Sequence, residues 1–412
     1  VISTIPGPTL ADFERARSIV QAVARHTPME SSRFLANVVG APVHLKCENL
    51  QRTGSYKLRG AYHRLSSLSV AERERGVVAA SAGNHAQGVA YAARELGIRA
   101  TIYMPVGVAL PKLDATRAYG ADVVLQGDSI GETLEAAQAF SNETGAVIIP
   151  PFDHGDVIAG QGTLGLEILD DVPDAATFVV PIGGGGLAAG VASAIKQRAA
   201  LEGRTVRVIG VQAANASPYV PSLAAGHPVQ VPVVPTIADG IAVYRPGDLT
   251  FEVIRAAVDE VITVSDDDIA RALLVLLERA KLVVEPAGAV SVAALLGGQV
   301  SSEGPIVALL SGGNIDPLLM QRVIAHGLAA SDRYLTLEIG LPDRPGQLAR
   351  IAELLAEANA NVIEVLHTRH GSGLQISEVA LRLSVETRGP AHRALVVDVL
   401  RRAGYEPRLV AE

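Results

Sequence analysis

Phe178-Val179-Val180-Pro181-Ile182-Gly183-Gly184-Gly185-Gly186-Leu187 reads as a short apolar strand that runs into four consecutive glycines and then into a helix through about Gln197. A second apolar run follows at residues 206–211. Strand, tight loop, helix and strand in that order are the repeat of an α/β protein with mainly parallel sheets. Glycines let the backbone approach a guest closely and can aim several N–H groups at one anion, so a phosphate is the natural occupant of such a loop at a helix start. The G-x-G-x-x-G spacing and a following acidic ribose ligand are missing, so this is not the dinucleotide fingerprint.

The same alternation extends outward from about Ala41 to Asp316. Residues 76–80 predict a strand, 86–96 a helix and 100–104 another strand, and His44-Leu45-Lys46-Cys47 lies in a further one. Such runs, bounded by Gly and Pro, suit strands buried on both faces. Near residues 326–332 the pattern changes to a helix end and a linker. Beyond it the order is strand (334–340), helix with an apolar face of Leu348, Ile351, Leu354, Leu355 and Ala358, strands near 362–368 and 377–386, a helix over 391–403 and a strand at 406–410. That is a βαββαβ unit, so the chain is split near residue 331.

Composition narrows the function classes. Aromatic residues are 4% and Trp is absent, so Ala, Val and Leu must build most of the core. A net charge of −8, with no basic run interleaved with aromatics, argues against a nucleic-acid partner. The apolar stretches, such as 307–310, are strand length and far short of a membrane span. The start of the chain lacks a basic segment followed by an apolar one. The single cysteine, Cys47, can form no internal disulfide, and no Cys/His cluster would hold zinc. The expectation is a cytoplasmic protein in which Cys47 is a buried small residue.

Three further stretches carry chemistry. In Glu48-Asn49-Leu50-Gln51-Arg52-Thr53-Gly54-Ser55-Tyr56-Lys57, the lysine follows a Gly-Ser turn at a helix start. Partial burial and the positive end of the helix dipole both lower a lysine pKa, giving a neutral amine suited to a Schiff base. Ser81-Ala82-Gly83-Asn84-His85-Ala86-Gln87-Gly88 sits at a strand-to-helix turn whose N–H groups suit a carboxylate. Asn84 can meet a ring hydroxyl or a carboxylate, although Asn84 and Ser81 could equally cap the helix, and His85 could merely satisfy the turn. Ser311, in Ser311-Gly312-Gly313-Asn314, could bond a ring nitrogen or form a simple turn.

With Val284-Glu285-Pro286-Ala287-Gly288-Ala289 added, these stretches resemble, in order over residues 20–325, the threonine dehydratases (threonine ammonia-lyases) among the tryptophan-synthase-β-like pyridoxal-phosphate enzymes. The resemblance implies a two-domain α/β fold with the small domain at about residues 47–146. It implies pyridoxal 5′-phosphate bound covalently to Lys57, with its phosphate on the N–H groups of Gly183, Gly184, Gly185, Gly186 and Leu187. Asn84 would contact the ring hydroxyl and Ser311 the ring nitrogen. Ser81, Ala82, Gly83, Asn84 and His85 would take the substrate carboxylate. The activity implied is dehydration and deamination of L-threonine, and of L-serine, with a place in isoleucine biosynthesis.

Residues 333–412 resemble an ACT domain, through the βαββαβ order and the Asp343-Arg344-Pro345-Gly346-Gln347-Leu348 turn. Such a module implies an amino-acid effector, with Gly346, Gln347, Leu348 and Asn361 as candidate contacts, and pairing into a homodimer or homotetramer. Residues 1–325 would be catalytic and 326–332 the linker. Serine racemases resemble the same length, but where their loop has a second serine this chain has Ala82, whose methyl group cannot transfer a proton. Where relatives carry a cation-ligating Glu, the chain has Gln212, and Pro218 replaces an acidic residue, so no tight divalent metal site is expected. A threo-3-hydroxyaspartate dehydratase, or an amino-acid sensor without catalysis, remains an alternative.

Overall fold

The computed structural model describes residues 5–232, 234–330, 332–369 and 378–410. The chain divides into two compact units, Val1–Pro317 and Leu318–Glu412.

In the first unit the strands are β1 (Met29–Ser31), β2 (Val43–Cys47), β3 (Val77–Ala80), β4 (Ala100–Met104), β5 (Asp122–Leu125), β6 (Val147–Ile148), β7 (Thr177–Pro181), β8 (Arg207–Ala213), β9 (Glu260–Val264) and β10 (Ile306–Leu310). They make a six-stranded sheet in the order β1-β2-β10-β7-β8-β9 and a four-stranded sheet in the order β5-β4-β3-β6. Only the β1–β2 pair is antiparallel. β3, β4, β7 and β10 are buried at every position, which is why they read as unbroken apolar runs. The small sheet takes β6 just beyond the expected boundary at residue 146. The helix expected at 86–96 begins two residues earlier, as Asn84–Leu96, so Asn84 itself is helical.

Several features fix the helix that begins at Lys57. Arg59, one turn-edge further on, is buried and forks onto Glu48: Nε donates to Oε2 over 2.9 Å and an η-nitrogen to Oε1 over 2.7 Å. It also pairs with Glu167 at 2.9 Å. Lys46, fully buried, bridges Glu167 and Asp171 at 2.7 Å each, so the carboxylates that gather beside His26 already have a cation. Gly60 and Gly160 let the helices Lys57–Ser66 and Gly155–Asp171 touch backbone to backbone, since a side-chain carbon on Gly160 would lie 2.6 Å from the Arg59 carbonyl. Gly88 does the same for the helix Asn84–Leu96, whose close approach reaches the Lys57 backbone.

The second unit pairs β11 (Tyr334–Pro342), β12 (Val362–Thr368), β13 (Glu378–Glu386) and β14 (Arg408–Leu409) in the order β12-β13-β11-β14. With the helices Gln347–Glu357 and Pro390–Arg402 this is the βαββαβ order. Ile351, Leu354, Leu355 and Ala358 pack on the sheet, whereas Leu348, in the first turn, is 42% exposed. The stretch 326–332 is not an open linker: the helix Pro317–Ala330 continues through most of it. The last strand is shorter than 406–410, pairing with β11 only at Leu337 and Glu338. Ser377 lies outside the described residues. Among the described residues no helix is long and apolar enough to cross a membrane.

Cys47 is fully buried, and burial pushes its thiol up to about 12, as suits a packing residue.

Candidate active site

Loops from the carboxyl ends of both sheets meet around Lys57. The loop after β2 is tied to the loop after β10 by an isolated bridge between Ser55 and Gly312, and Tyr56 N donates to Ser311 O over 3.1 Å. Lys57 then opens the helix Lys57–Ser66, and its Nζ donates over 2.8 Å to the carbonyl of Pro151, just past β6 of the small sheet. Burial brings the amine down to about 8, against the opposing charge of Glu285. That is the direction expected for a Schiff-base lysine.

Asn84, Glu285 and Asn314 form a chain beside it. Asn84 Nδ2 donates to Glu285 Oε1 over 2.6 Å, and Asn84 Oδ1 accepts from Asn314 Nδ2 over 2.9 Å. Asn314 Nδ2 also reaches Thr53 O at 2.8 Å. Asn84 therefore does not cap its helix: the cap residue is Gly83, whose N–H donates to Ser81 Oγ over 3.1 Å. Burial, then the Asp239 carboxylate, push the Glu285 carboxyl up to about 7, opposed by the Asn84 hydrogen bond, Lys112 and Lys57. His85 is buried and donates through Nε2 to Ile149 O over 2.8 Å; burial and then Lys57 drive its pKa down to about 3. Its ring is thus neutral and committed, which leaves its backbone N–H for a ligand.

The glycine loop follows β7 and opens the helix Gly186–Leu201, with Gly185 as cap. Among the described residues the N–H groups of Gly183, Gly184 and Gly185 donate to no protein acceptor, and the first N–H groups of a helix have no acceptor within it. The opposite side of the loop is packed. Tyr219 and Thr250 hydroxyls donate to Gly184 O over 3.2 and 2.8 Å, and a side-chain carbon on Gly184 would enter the Phe152 ring at 2.3 Å. Gly185 has φ +102°, where a side chain is strained. The neutral Gln212 side chain accepts from Tyr219 N over 3.0 Å and so braces the same loop. Ser311 is buried at the end of β10, and among the described residues its hydroxyl makes no bond to the protein. The Ser55 hydroxyl is buried without a partner as well.

Residues 20–312 match the model of the family described as pyridoxal-phosphate dependent enzymes. The chain belongs to that family. Residues 335–404 of the enzyme match the ACT domain. It is 47% identical to the L-threonine ammonia-lyase of Thermotoga maritima, covering 98% of this chain and 99% of that one. Among solved structures, maize serine racemase superposes with a TM-score of 0.73 at 35% identity, covering 78% of this chain and 98% of that one. The processed form of threonine deaminase isoform 2 from Solanum lycopersicum superposes with a TM-score of 0.72 at 37% identity, covering 79% and 96%. The enzyme uses pyridoxal phosphate, and its residues fit that group: unpartnered N–H groups in the glycine loop suit a phosphate, and a lowered amine suits the aldehyde carbon.

Sequence reading missed five participants. Glu285 lies in a stretch that carries the family resemblance, and an acid directly before a helix-opening Pro is the signal that marks it. Asn314 gave none beyond its neighbours, and Gln212 stood out only for its lack of charge at a cation-ligand position. Lys112 and Asp239, which pair at 3.0 Å across the mouth of the site, are unremarkable in the sequence.

The four candidate effector contacts do not come together within one chain. β12 and β11 both run antiparallel to β13, so Asn361 lies at the Tyr334 end of the sheet and Gly346, Gln347 and Leu348 at the Pro342 end. β11 has nine residues, which separates the two groups by about 30 Å at the rise of a strand. Asn361 instead lines a cavity of about 770 Å³ with Arg333, Asn359, Glu386 and Arg388.

Proposed function

We propose that this enzyme eliminates water from L-threonine and that hydrolysis, which returns that water, releases ammonia, so that the net change is loss of ammonia to give 2-oxobutyrate, or pyruvate from L-serine. The observation that carries the reading is the half-buried Lys57 amine, brought down to about 8, within the cleft that also holds Asn84, Ser311 and the unpartnered glycine N–H groups. Identity to an L-threonine ammonia-lyase over nearly the whole chain selects the substrate class.

When bound, the cofactor supplies an electron sink for negative charge developing at the substrate α-carbon. Gly183, Gly184, Gly185, Gly186 and Leu187 would hold its phosphate, Asn84 its ring hydroxyl, Ser311 its ring nitrogen and Lys57 its aldehyde carbon. Beside the substrate α-carbon, the Lys57 amine would take the α-proton, a task for which a pKa close to the working pH is suited. Loss of the neighbouring hydroxyl as water, and hydrolysis, give the 2-oxo acid and ammonia. Racemisation needs a second proton donor on the opposite face, and Ala82 offers a methyl group there.

Residues 1–325 form the catalytic region in this reading, with the small domain near 47–146, and residues 333–412 regulate it through an amino acid. The Gly346 turn offers the effector carboxylate a helix start with Gln347 and Leu348, whereas Asn361, about 30 Å away in the same chain, would join that contact only from a second copy. Edge strand β12 exposes Ile363, Val365 and Leu366, which supports assembly into a homodimer or homotetramer. The lone buried thiol supports a cytoplasmic location, and a 2-oxobutyrate product suits isoleucine biosynthesis.

The test is 2-oxo acid release from L-threonine and L-serine by the purified enzyme, with and without isoleucine. Release from L-threonine supports the reading. D-serine as the main product from L-serine contradicts it.

A further inference from the structure

The turn of residues 81–85 offers backbone N–H groups but no cation of its own to a substrate carboxylate. A carboxylate entering there comes close to two acids. Glu285 is hydrogen-bonded to Asn84, and Asp239 sits in the short turn Asp239–Ile241, where a side-chain carbon on Gly240 would lie 3.8 Å from Glu285 Oε1. Like charges gathered in a partly buried site repel, so a bound carboxylate needs a compensating cation. Lys57 is committed to the cofactor.

Lys112 is placed for that task. It lies in the first turn of the helix Leu110–Ala118, beyond β4 of the small sheet, and its ammonium is 3.9 Å from where a side-chain carbon on Gly83 would begin. Its partner is Asp239 at 3.0 Å, on the large-sheet side of the cleft. The two ends of this pair differ in environment. The Lys112 side chain is 20% exposed, whereas that of Asp239 is 59% exposed and can return to water when released. An exposed carboxylate is a weakly held partner, readily exchanged for another.

We propose that Lys112 recognises the α-carboxylate of the substrate amino acid, exchanging Asp239 for it when substrate enters beside Gly83. Asp239 is then a placeholder that keeps the ammonium at the mouth of the site. The inference rests on the amino-acid ammonia-lyase reading, and it assigns the charge that selects amino acids over amines that lack a carboxylate.

Two ways of breaking the Lys112–Asp239 pair separate recognition from simple bracing. Steady-state kcat and KM for L-threonine are measured on the cofactor-loaded wild type, Lys112→Met, Lys112→Arg and Asp239→Asn, with thermal unfolding of each to confirm the fold. Loss of a charge-assisted hydrogen bond to a carboxylate is expected to raise KM by about 10- to 100-fold in Lys112→Met. Kcat should change much less, and Lys112→Arg should recover most of the loss. Asp239→Asn, which frees the ammonium, should lower KM. If both neutral variants raise KM alike, or if Lys112→Met leaves KM near the wild-type value, the proposal is overturned. A wild type that turns over no amino acid would instead defeat the lyase reading itself.

Discussion

Asn84 and Glu285, 201 residues apart in the chain, share a 2.6 Å hydrogen bond in which the amide Nδ2 donates to the carboxylate Oε1. Asn314 donates to the other end of the same amide. The orientation of Asn84 is therefore set before any ligand arrives, with its nitrogen toward Glu285 and one N–H still available. Removing either neighbour should cost cofactor affinity without touching the cofactor. Glu285→Ala and Asn314→Ala are each expected to weaken retention by about 10-fold, the worth of one such hydrogen bond. Glu285→Gln, which can still accept, should lose less. Cofactor release during dialysis, followed by absorbance, checks this.

The Glu285 carboxyl also makes stability depend on pH. Its folded pKa, about 7, lies above its ordinary 4.5, so the fold favours the protonated form. That stabilisation is full below about pH 4.5 and is lost as pH rises through about 7. Relative to Glu285→Gln, the cofactor-free wild type should lose about 3 kcal/mol across that window and then level off. Denaturant unfolding of both proteins at a series of pH values measures the difference. A difference that grows toward acid pH would contradict the sign.

Lys57 responds to the same carboxylate. Capture of cofactor by the cofactor-free enzyme should rise with pH through a midpoint near 8, well below the ordinary lysine value of 10.5. Because the Glu285 charge raises the Lys57 pKa, Glu285→Gln should move that midpoint further down. A midpoint that stays put or moves up would break the link.

At the glycine loop, Gly185→Ala meets two obstacles. Its φ of +102° disfavours a side chain, and the new carbon would lie 2.1 Å from the Tyr219 hydroxyl. The backbone strain alone is expected to cost about 1–3 kcal/mol, with loss of phosphate affinity. Adding Tyr219→Phe removes the closest contact but leaves the strain and Thr250 Cβ at 2.9 Å, so the double variant should recover only part of the loss. Thermal unfolding and cofactor titration of the two variants give the comparison.

Much of this was legible in the sequence wherever the signal is local. Apolar runs bounded by Gly and Pro marked β3, β4, β7 and β10. The four glycines at a strand-to-helix junction marked an anion loop, and Lys57 at a helix start marked a nucleophilic amine. What stayed hidden depends on contacts distant in the chain. The Asn84–Glu285 bond spans both sheets, and Lys112–Asp239 joins residues 127 positions apart, with no periodicity to announce either. The direction of β12 was equally invisible. A strand's apolar pattern does not say which way it runs beside its neighbours, so Asn361 and Gly346 could be grouped on paper although they occupy opposite ends of one sheet.

The most direct test of the central role given to Lys57 is 2-oxobutyrate release from L-threonine by the cofactor-supplemented wild type and Lys57→Ala. Losing both the covalent anchor and the proton acceptor should cost about 1,000-fold or more in rate. A folded Lys57→Ala variant that keeps activity within tenfold of the wild type would contradict the account.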